Sequence, residues 1–222
     1  PGSLFVALPG AHYDGCSFAK DAVRRGACAV VAERGAPAGI RVPWVRVSSA
    51  RACLARMAAA LNDSPSCAME VVGITGTNGK TTVAALCRAL WRNAGRLPGV
   101  LGTVHYEIGD RLIPAARTTP EAPELQAMMG DMRRTGCRAV IMEVSSHALC
   151  QQRVDAVEFD VVVFTNLSQD HLDYHGSMEA YFDAKALLFR RPELELAVIN
   201  ADDDMASPLL DQLPQKAARL TY

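Results

Sequence analysis

No apolar run in this chain approaches the roughly 20 residues that a bilayer-crossing helix needs. The short stretch Leu4 to Leu8 lacks the charged flank and the length of a secretion signal. A basic surplus is missing too: 23 Lys and Arg stand against 24 Asp and Glu, a formal charge of −1, which leaves nothing spare to neutralise a nucleic-acid backbone. The expected setting is therefore the cytoplasm, with neither membrane nor nucleic acid as a partner. The seven cysteines include no C-x-x-C pair. They read as reduced thiols of a packed interior, and a zinc site, which favours paired spacing, is the alternative. Internal repeats and low-complexity tracts are absent.

One missing glycine is informative. Ile74 stands six residues before Lys80, where the strict phosphate-loop pattern G-x-x-x-x-G-K-[ST] has Gly, so the form here is G-T-N-G-K-T-T (76–82). The rest of the context is intact. An apolar strand over 69–75 runs into the turn, and a helix over 80–94 follows, with Val83, Leu86, Cys87, Leu90 and Trp91 at helical spacing and Gly95 closing it. Such a turn holds a polyphosphate. Gly76, Thr77, Asn78 and Gly79 let backbone N–H groups converge on phosphate oxygens, the helix opens its positive end toward them, Lys80 adds a charge, and Thr81 and Thr82 follow, Thr81 with a hydroxyl for Mg²⁺. A chance Gly-rich turn before a helix is the plain alternative.

Half of the 222 residues are apolar, enough for a substantial core and for one or two domains. Strand and helix alternate over the first sixty-odd residues, the turn residues 62–66 interrupt, and longer alternating elements follow. The expectation is a small N-terminal α/β domain (1–66) and a P-loop type domain (67–222) whose mostly parallel sheet is flanked by helices. Later elements are expected as a helix over 121–135 capped by Thr119 with Pro120, strands over 138–144, 160–166 and 195–200, and a helix over 177–190 capped by Ser177. Ligands of such sheets sit at the carboxyl ends of the strands. There the chain places Glu143-Val144-Ser145-Ser146-His147 and a run from Thr165 to His175 that includes His171.

Lys185 falls on the apolar stripe of the 177–190 helix, with Met178, Tyr181, Phe182, Leu188 and Phe189. It either snorkels to the helix edge or is desolvated, which frees a neutral amine for chemistry. A neutral amine can take up CO₂ as a carbamate, turning a cation into an oxygen ligand for Mg²⁺.

Five motifs in one order, G-T-N-G-K-T-T, T-T-P (118–120), E-V-S-S-H-A-L (143–149), F-T-N-L-S-Q-D-H-L-D-Y-H-G (164–176) and Y-F-D-A-K-A-L-L-F (181–189), closely resemble the Mur ligases of peptidoglycan synthesis. Among them the chain looks like the member that adds the third amino acid to UDP-N-acetylmuramoyl-L-alanyl-D-glutamate. The resemblance begins at L-F-V-A-L-P-G-A-H-Y-D-G (4–15) and runs to the end of the chain. It implies an ATP-dependent amide ligase that phosphorylates a D-glutamyl carboxylate and lets an amine displace the phosphate. It further implies that Lys80 steadies the transferring phosphate and that two Mg²⁺ are used, one on Thr81 and Glu143, the other on His171 and the CO₂-derived carbamate of Lys185.

The same resemblance assigns Thr118, Thr119, Ser145, Gln151 and Arg153 to the UDP-muramoyl peptide and, more loosely, Ala11, His12 and Tyr13 to its uridine side. Arg117 stands where some relatives carry Asn. The implied partner is meso-diaminopimelate, with L-lysine as the alternative amine, and the implied state is a monomer. The family also has a third, C-terminal domain that resembles nothing here, so the chain is expected to be a fragment, weakly active or inactive alone. Rival readings are a folylpolyglutamate synthase-like ligase, a P-loop kinase, or a module that only binds nucleotide and UDP-sugar.

Overall fold

The computed structural model describes residues 1–10 and 13–222. The chain forms two compact units, Pro1–Met57 and Ala58–Tyr222. The division falls inside a helix, Ala50–Leu61, ahead of the turn residues 62–66.

The first unit is a small α/β layer. Its strands β1 (Ser3–Ala7), β2 (Ala27–Ala32) and β3 (Trp44–Arg46) pair in parallel in the order β1-β2-β3, with α1 (Ala19–Arg24) joining the first two and α2 (Ala50–Leu61) following the third. Parallel pairing follows from the helical crossover, since a two-residue hairpin cannot return a strand to the same direction. Asp14 starts a short 3-10 turn by accepting the Cys16 N–H at 3.0 Å. Just before it, Tyr13 is largely exposed.

The second unit is built on one eight-stranded sheet. Its elements are β4 (Glu70–Thr75), α3 (Lys80–Asn93), β5 (Pro98–Leu101), β6 (His105–Ile108), β7 (Arg111–Pro114), α4 (Ala122–Thr135), β8 (Ala139–Glu143), α5 (Ser146–Cys150), β9 (Val161–Phe164), α6 (Leu172–His175), α7 (Met178–Ala186), β10 (Leu196–Ile199), α8 (Ala206–Leu210) and β11 (Ala218–Thr221). The order is β11-β10-β9-β4-β8-β5-β6-β7, parallel from β11 to β5 and antiparallel at β6 and β7. The α/β expectation with a mostly parallel sheet holds. Near-continuous apolar strands such as β8 and β9 are covered on both faces, as their composition demands. Among the described residues no helix is long and apolar enough to cross a membrane.

Several local expectations need correction. On α3 the packed residues are Val83, Ala84, Cys87 and Trp91, lying on Val72, Ile74, Ile141 and Val163, whereas Leu86 and Leu90 are 60% and 69% exposed. The small side chain of Ala84 is the one fully buried there, so the helix turns that face inward and leaves the two leucines at its flank. The cap of α4 is Glu121, with Pro123 in the first turn, because the Thr119 hydroxyl is engaged elsewhere. Ser177 does cap α7, accepting the Ala180 N–H at 3.1 Å. That helix ends at Ala186 rather than 190, where Leu188 and Phe189 bond back to the carbonyls three residues earlier. The hairpin β6–β7 and the edge strand β11 were not expected at all. Buried Glu107 on β6 ties the hairpin to α3 through Arg88 and Arg92.

Candidate active site

Strands β8 and β9 flank β4, so three carboxyl ends open side by side. The loop after β4 is shaped by the segment after β9. Thr77 N–H donates to the Asn166 carbonyl at 2.8 Å, Asn78 N–H to Asn166 Oδ1 at 3.0 Å, and the Thr165 hydroxyl to the Asn78 carbonyl at 2.6 Å. Gly76 has φ 146°, and a Cβ there would lie 1.9 Å from Thr165 Oγ1, so only glycine fits. Gly79, at φ 84°, leads into α3, whose first residue is Lys80. The result is a backbone cradle at the N-terminus of a 14-residue helix, an arrangement suited to phosphate oxygens. Thr82 lies exposed one turn inside.

Glu143 ends β8 and is 1% exposed. Its carboxylate accepts the Thr81 hydroxyl at 3.0 Å, the Thr103 hydroxyl at 2.9 Å and the Thr103 N–H at 3.0 Å. Three donors satisfy lone pairs of a carboxylate that burial removes from water.

Lys185 is 2% exposed, and its Nζ donates to the Gly76 carbonyl at 2.8 Å while standing 4.4 Å from the Tyr181 ring centre. Burial pushes this amine down to about 7; the nearby Lys80 charge acts in the same direction and Asp170 opposes it. Lys80 folds back on its own loop, donating to the carbonyls of Gly76 at 2.9 Å and Thr77 at 2.8 Å, and burial lowers its pKa as well. His171 adopts a left-handed backbone, φ 53°, at the start of α6. Its ring lies 4.8 Å from that of His147 and 6.2 Å from that of Tyr181. Lys185 and His171 thus share Tyr181 as a neighbour. His175 reaches the Ser146 hydroxyl at 2.9 Å, and its ring lies 4.9 Å from that of Tyr181. Burial lowers the pKa of both His147 and His175.

A second constellation borders the first. The Thr119 hydroxyl donates to the Glu143 carbonyl at 2.9 Å and accepts the Ser145 N–H at 3.1 Å, which is why it caps nothing. Arg153 donates to the Thr119 carbonyl at 3.0 Å and to Gln151 Oε1 at 3.1 Å, and it pairs with Glu121 at 3.0 Å. Thr118 joins through Thr103, 3.1 Å between hydroxyl oxygens. Five residues expected at a substrate therefore form one hydrogen-bonded group. Tyr13 belongs to the first unit, and Ala11 and His12 lie outside the described residues.

Two contributors escaped the sequence reading. Thr103 follows β5, and Tyr106 on β6 is buried with its hydroxyl donating to the Arg117 carbonyl at 2.7 Å and accepting the Arg117 N–H at 3.2 Å. Polar residues at strand ends were the right signal for Thr103, but Pro98 and Gly99 hid the strand.

The profile described as Mur ligase middle domain matches residues 74–222, and the one described as Mur ligase family, catalytic domain, matches residues 1–61. A protein of Geobacter sulfurreducens named UDP-N-acetylmuramoyl-L-alanyl-D-glutamate--2,6-diaminopimelate ligase is 49% identical over 218 residues, 95% of this chain and 43% of that protein. A UDP-N-acetylmuramyl-tripeptide synthetase of Roseiflexus is 42% identical, covering 100% of this chain and 47% of its own length. A solved structure of a protein with the first of these names superposes with a TM-score of 0.84 at 33% identity, over 100% of this chain and 46% of that one. The chain spans less than half the length of these relatives. Similarity of this degree, running through both units and through the loop, carboxylate and lysine described above, makes the chain a member of the Mur ligase family.

Proposed function

We propose that the chain carries the nucleotide and UDP-sugar sites of an ATP-dependent amide ligase of cell-wall synthesis, which adds meso-diaminopimelate to UDP-N-acetylmuramoyl-L-alanyl-D-glutamate. The observation that carries this reading is the hydrogen bonding of Glu143 to Thr81 at the end of the phosphate loop, to Thr119, and through Thr103 to Thr118. The named relatives at up to 49% identity support the choice of substrate. In this reading residues 1–66 are the UDP-binding domain, with Ala11, His12 and Tyr13 on the uridine side, and residues 67–222 the ATP domain. The setting is the cytoplasm and the protein is a monomer.

The donor set fits Mg²⁺. Among the described residues no three His, Cys, Asp or Glu side chains could hold a metal by themselves, and Mg²⁺ usually completes its shell with phosphate and water oxygens. Thr81 and Glu143 would hold one ion, and His171 with Lys185 as a carbamate a second. Bound there, the two ions offset the repulsion between the triphosphate and the acceptor carboxylate. Lys185 is suited to carbamate formation, since its buried neutral nitrogen bonds to the carbon of CO₂ and releases one proton. Lys80 exchanges the carbonyls of Gly76 and Thr77 for phosphate oxygens and, with the loop N–H groups, stabilises charge on the phosphoryl group in flight. Thr118, Thr119, Ser145, Gln151 and Arg153 hold the UDP-muramoyl peptide so that its glutamyl γ-carboxylate meets that group. An acyl phosphate results, which the amine opens with release of phosphate.

The test is ADP release by a full-length protein carrying this chain, supplied with Mg²⁺, ATP and UDP-N-acetylmuramoyl-L-Ala-D-Glu, with meso-diaminopimelate or L-lysine as the amine. Release with diaminopimelate supports the proposal. Release only with L-lysine replaces the amine, and a phosphorylated product without amide overturns the ligase in favour of a kinase.

A further inference from the structure

Glu143 and Thr118 belong to different halves of the site, the carboxylate to the metal and nucleotide side and the hydroxyl to the substrate side. Thr103 touches both. Its N–H donates to Glu143 Oε1 at 3.0 Å, and its hydroxyl oxygen lies 2.9 Å from Glu143 Oε2 and 3.1 Å from Thr118 Oγ1. The Thr103 hydroxyl has one proton to donate and stands within reach of two acceptors, Glu143 Oε2 and Thr118 Oγ1. This one hydroxyl therefore links the carboxylate to Thr118.

The backbone is shaped for this contact. At Gly102, the residue before, a Cβ would fall 2.5 Å from Glu143 Oε1, so only glycine lets the segment come this close. Thr103 itself is exposed, so its hydroxyl is not needed to fill a core. Glu143 Oε2 also accepts the Thr81 hydroxyl at 3.0 Å. When Thr81 turns to a ligand, Thr103 is the donor that keeps the carboxylate in place.

We propose that Thr103 is a positioning residue that orients Glu143 for Mg²⁺ and couples it to the substrate contact of Thr118. The inference rests on the nucleotide and substrate sites proposed above. Loss of the hydroxyl frees Glu143 Oε2 to rotate, and outer partners of a metal ligand commonly govern affinity by about tenfold or more. Because one hydroxyl serves both sides, its loss also weakens the mutual enhancement of substrate and Mg²⁺-nucleotide binding.

The test uses Thr103→Val, which keeps shape and backbone N–H, beside Thr103→Ser, which keeps the hydroxyl. Binding of a non-hydrolysable ATP analogue to the full-length protein is titrated with Mg²⁺ by calorimetry, with and without UDP-N-acetylmuramoyl-L-Ala-D-Glu. Thr103→Val should raise the half-saturating Mg²⁺ concentration about tenfold and abolish its dependence on the UDP-sugar, while Thr103→Ser stays within about twofold of wild type. Wild-type behaviour of Thr103→Val overturns the inference and leaves the ligase reading standing, as does a Thr103→Ser protein as impaired as Thr103→Val. A wild type that binds no nucleotide in the presence of Mg²⁺ overturns both.

Discussion

Lys80 and Lys185 donate to the same acceptor, the Gly76 carbonyl, at 2.9 and 2.8 Å. One lysine opens α3 and the other comes from α7, 109 residues beyond Gly76, yet their amines meet at one oxygen. Burial is the main reason that the Lys185 pKa falls to about 7, and the neighbouring Lys80 charge acts in the same direction.

Replacement of Lys185 by alanine should remove the proposed carbamate and the second metal site with it. Ligase turnover in the full-length protein is expected to fall by about 100-fold or more, and added bicarbonate should raise the activity of milder variants by favouring the carbamate. Turnover close to wild type in Lys185→Ala would refute the metal-bridging role.

The depressed pKa also sets a pH dependence. Between about 7 and the ordinary 10.5 the unfolded chain holds a proton on Lys185 that the folded chain does not. Its contribution to stability therefore grows as pH rises through this window and is lost as pH falls through about 7. Lys185→Met should flatten that slope. Urea midpoints of both proteins in CO₂-free buffer, taken at about pH 7 and about pH 9, make the comparison.

Gly76→Ala should cost the loop its shape, because the new Cβ would overlap Thr165 Oγ1 and the φ of 146° disfavours any side chain. A loss of about 1–3 kcal/mol is expected, with nucleotide binding gone. Denaturant unfolding and calorimetry report the two parts, and an unchanged affinity would show that the loop does not hold phosphate.

Glu143→Gln keeps the size of the side chain but removes the charge and turns an amide toward the hydroxyl of Thr81 or Thr103. Mg²⁺-dependent nucleotide binding should weaken about 10- to 100-fold, with metal-free binding little changed. Equal loss in both conditions would place Glu143 outside the metal site.

Tyr106→Phe removes two hydrogen bonds to the Arg117 backbone and nothing else. At about 1 kcal/mol each, the adjoining Thr118 and Thr119 should loosen enough to raise KM for the UDP-sugar roughly 5- to 30-fold, while KM for ATP stays put. Equal changes in both constants would point to a general loss of structure.

The local motifs were legible because their residues are contiguous. Loop, helix start and the strand-end polar runs can each be read from a few neighbouring positions, and Lys185 betrayed itself by falling on an apolar stripe. The caps of α4 and the inner face of α3 were misread, since in each case a distant partner decided. Thr119 bonds to Glu143 and Ser145, and Ala84 meets strands β4, β8 and β9. The hairpin β6–β7 had no signal strong enough to register, with strands of four residues and a charged Glu107 in the middle of one.

The α/β class, the phosphate loop and the family can be read along the chain, because they depend on periodicity and on short unbroken motifs. Which groups act as one site depends on how the sheet is assembled. Thr103 and Glu143 are 40 residues apart, Thr81 and Glu143 are 62 apart, and Gly76 and Lys185 are 109 apart. Hydrogen bonds across such separations depend on strand order, and placing β8 and β9 on either side of β4 is a choice made by the packing of the whole sheet.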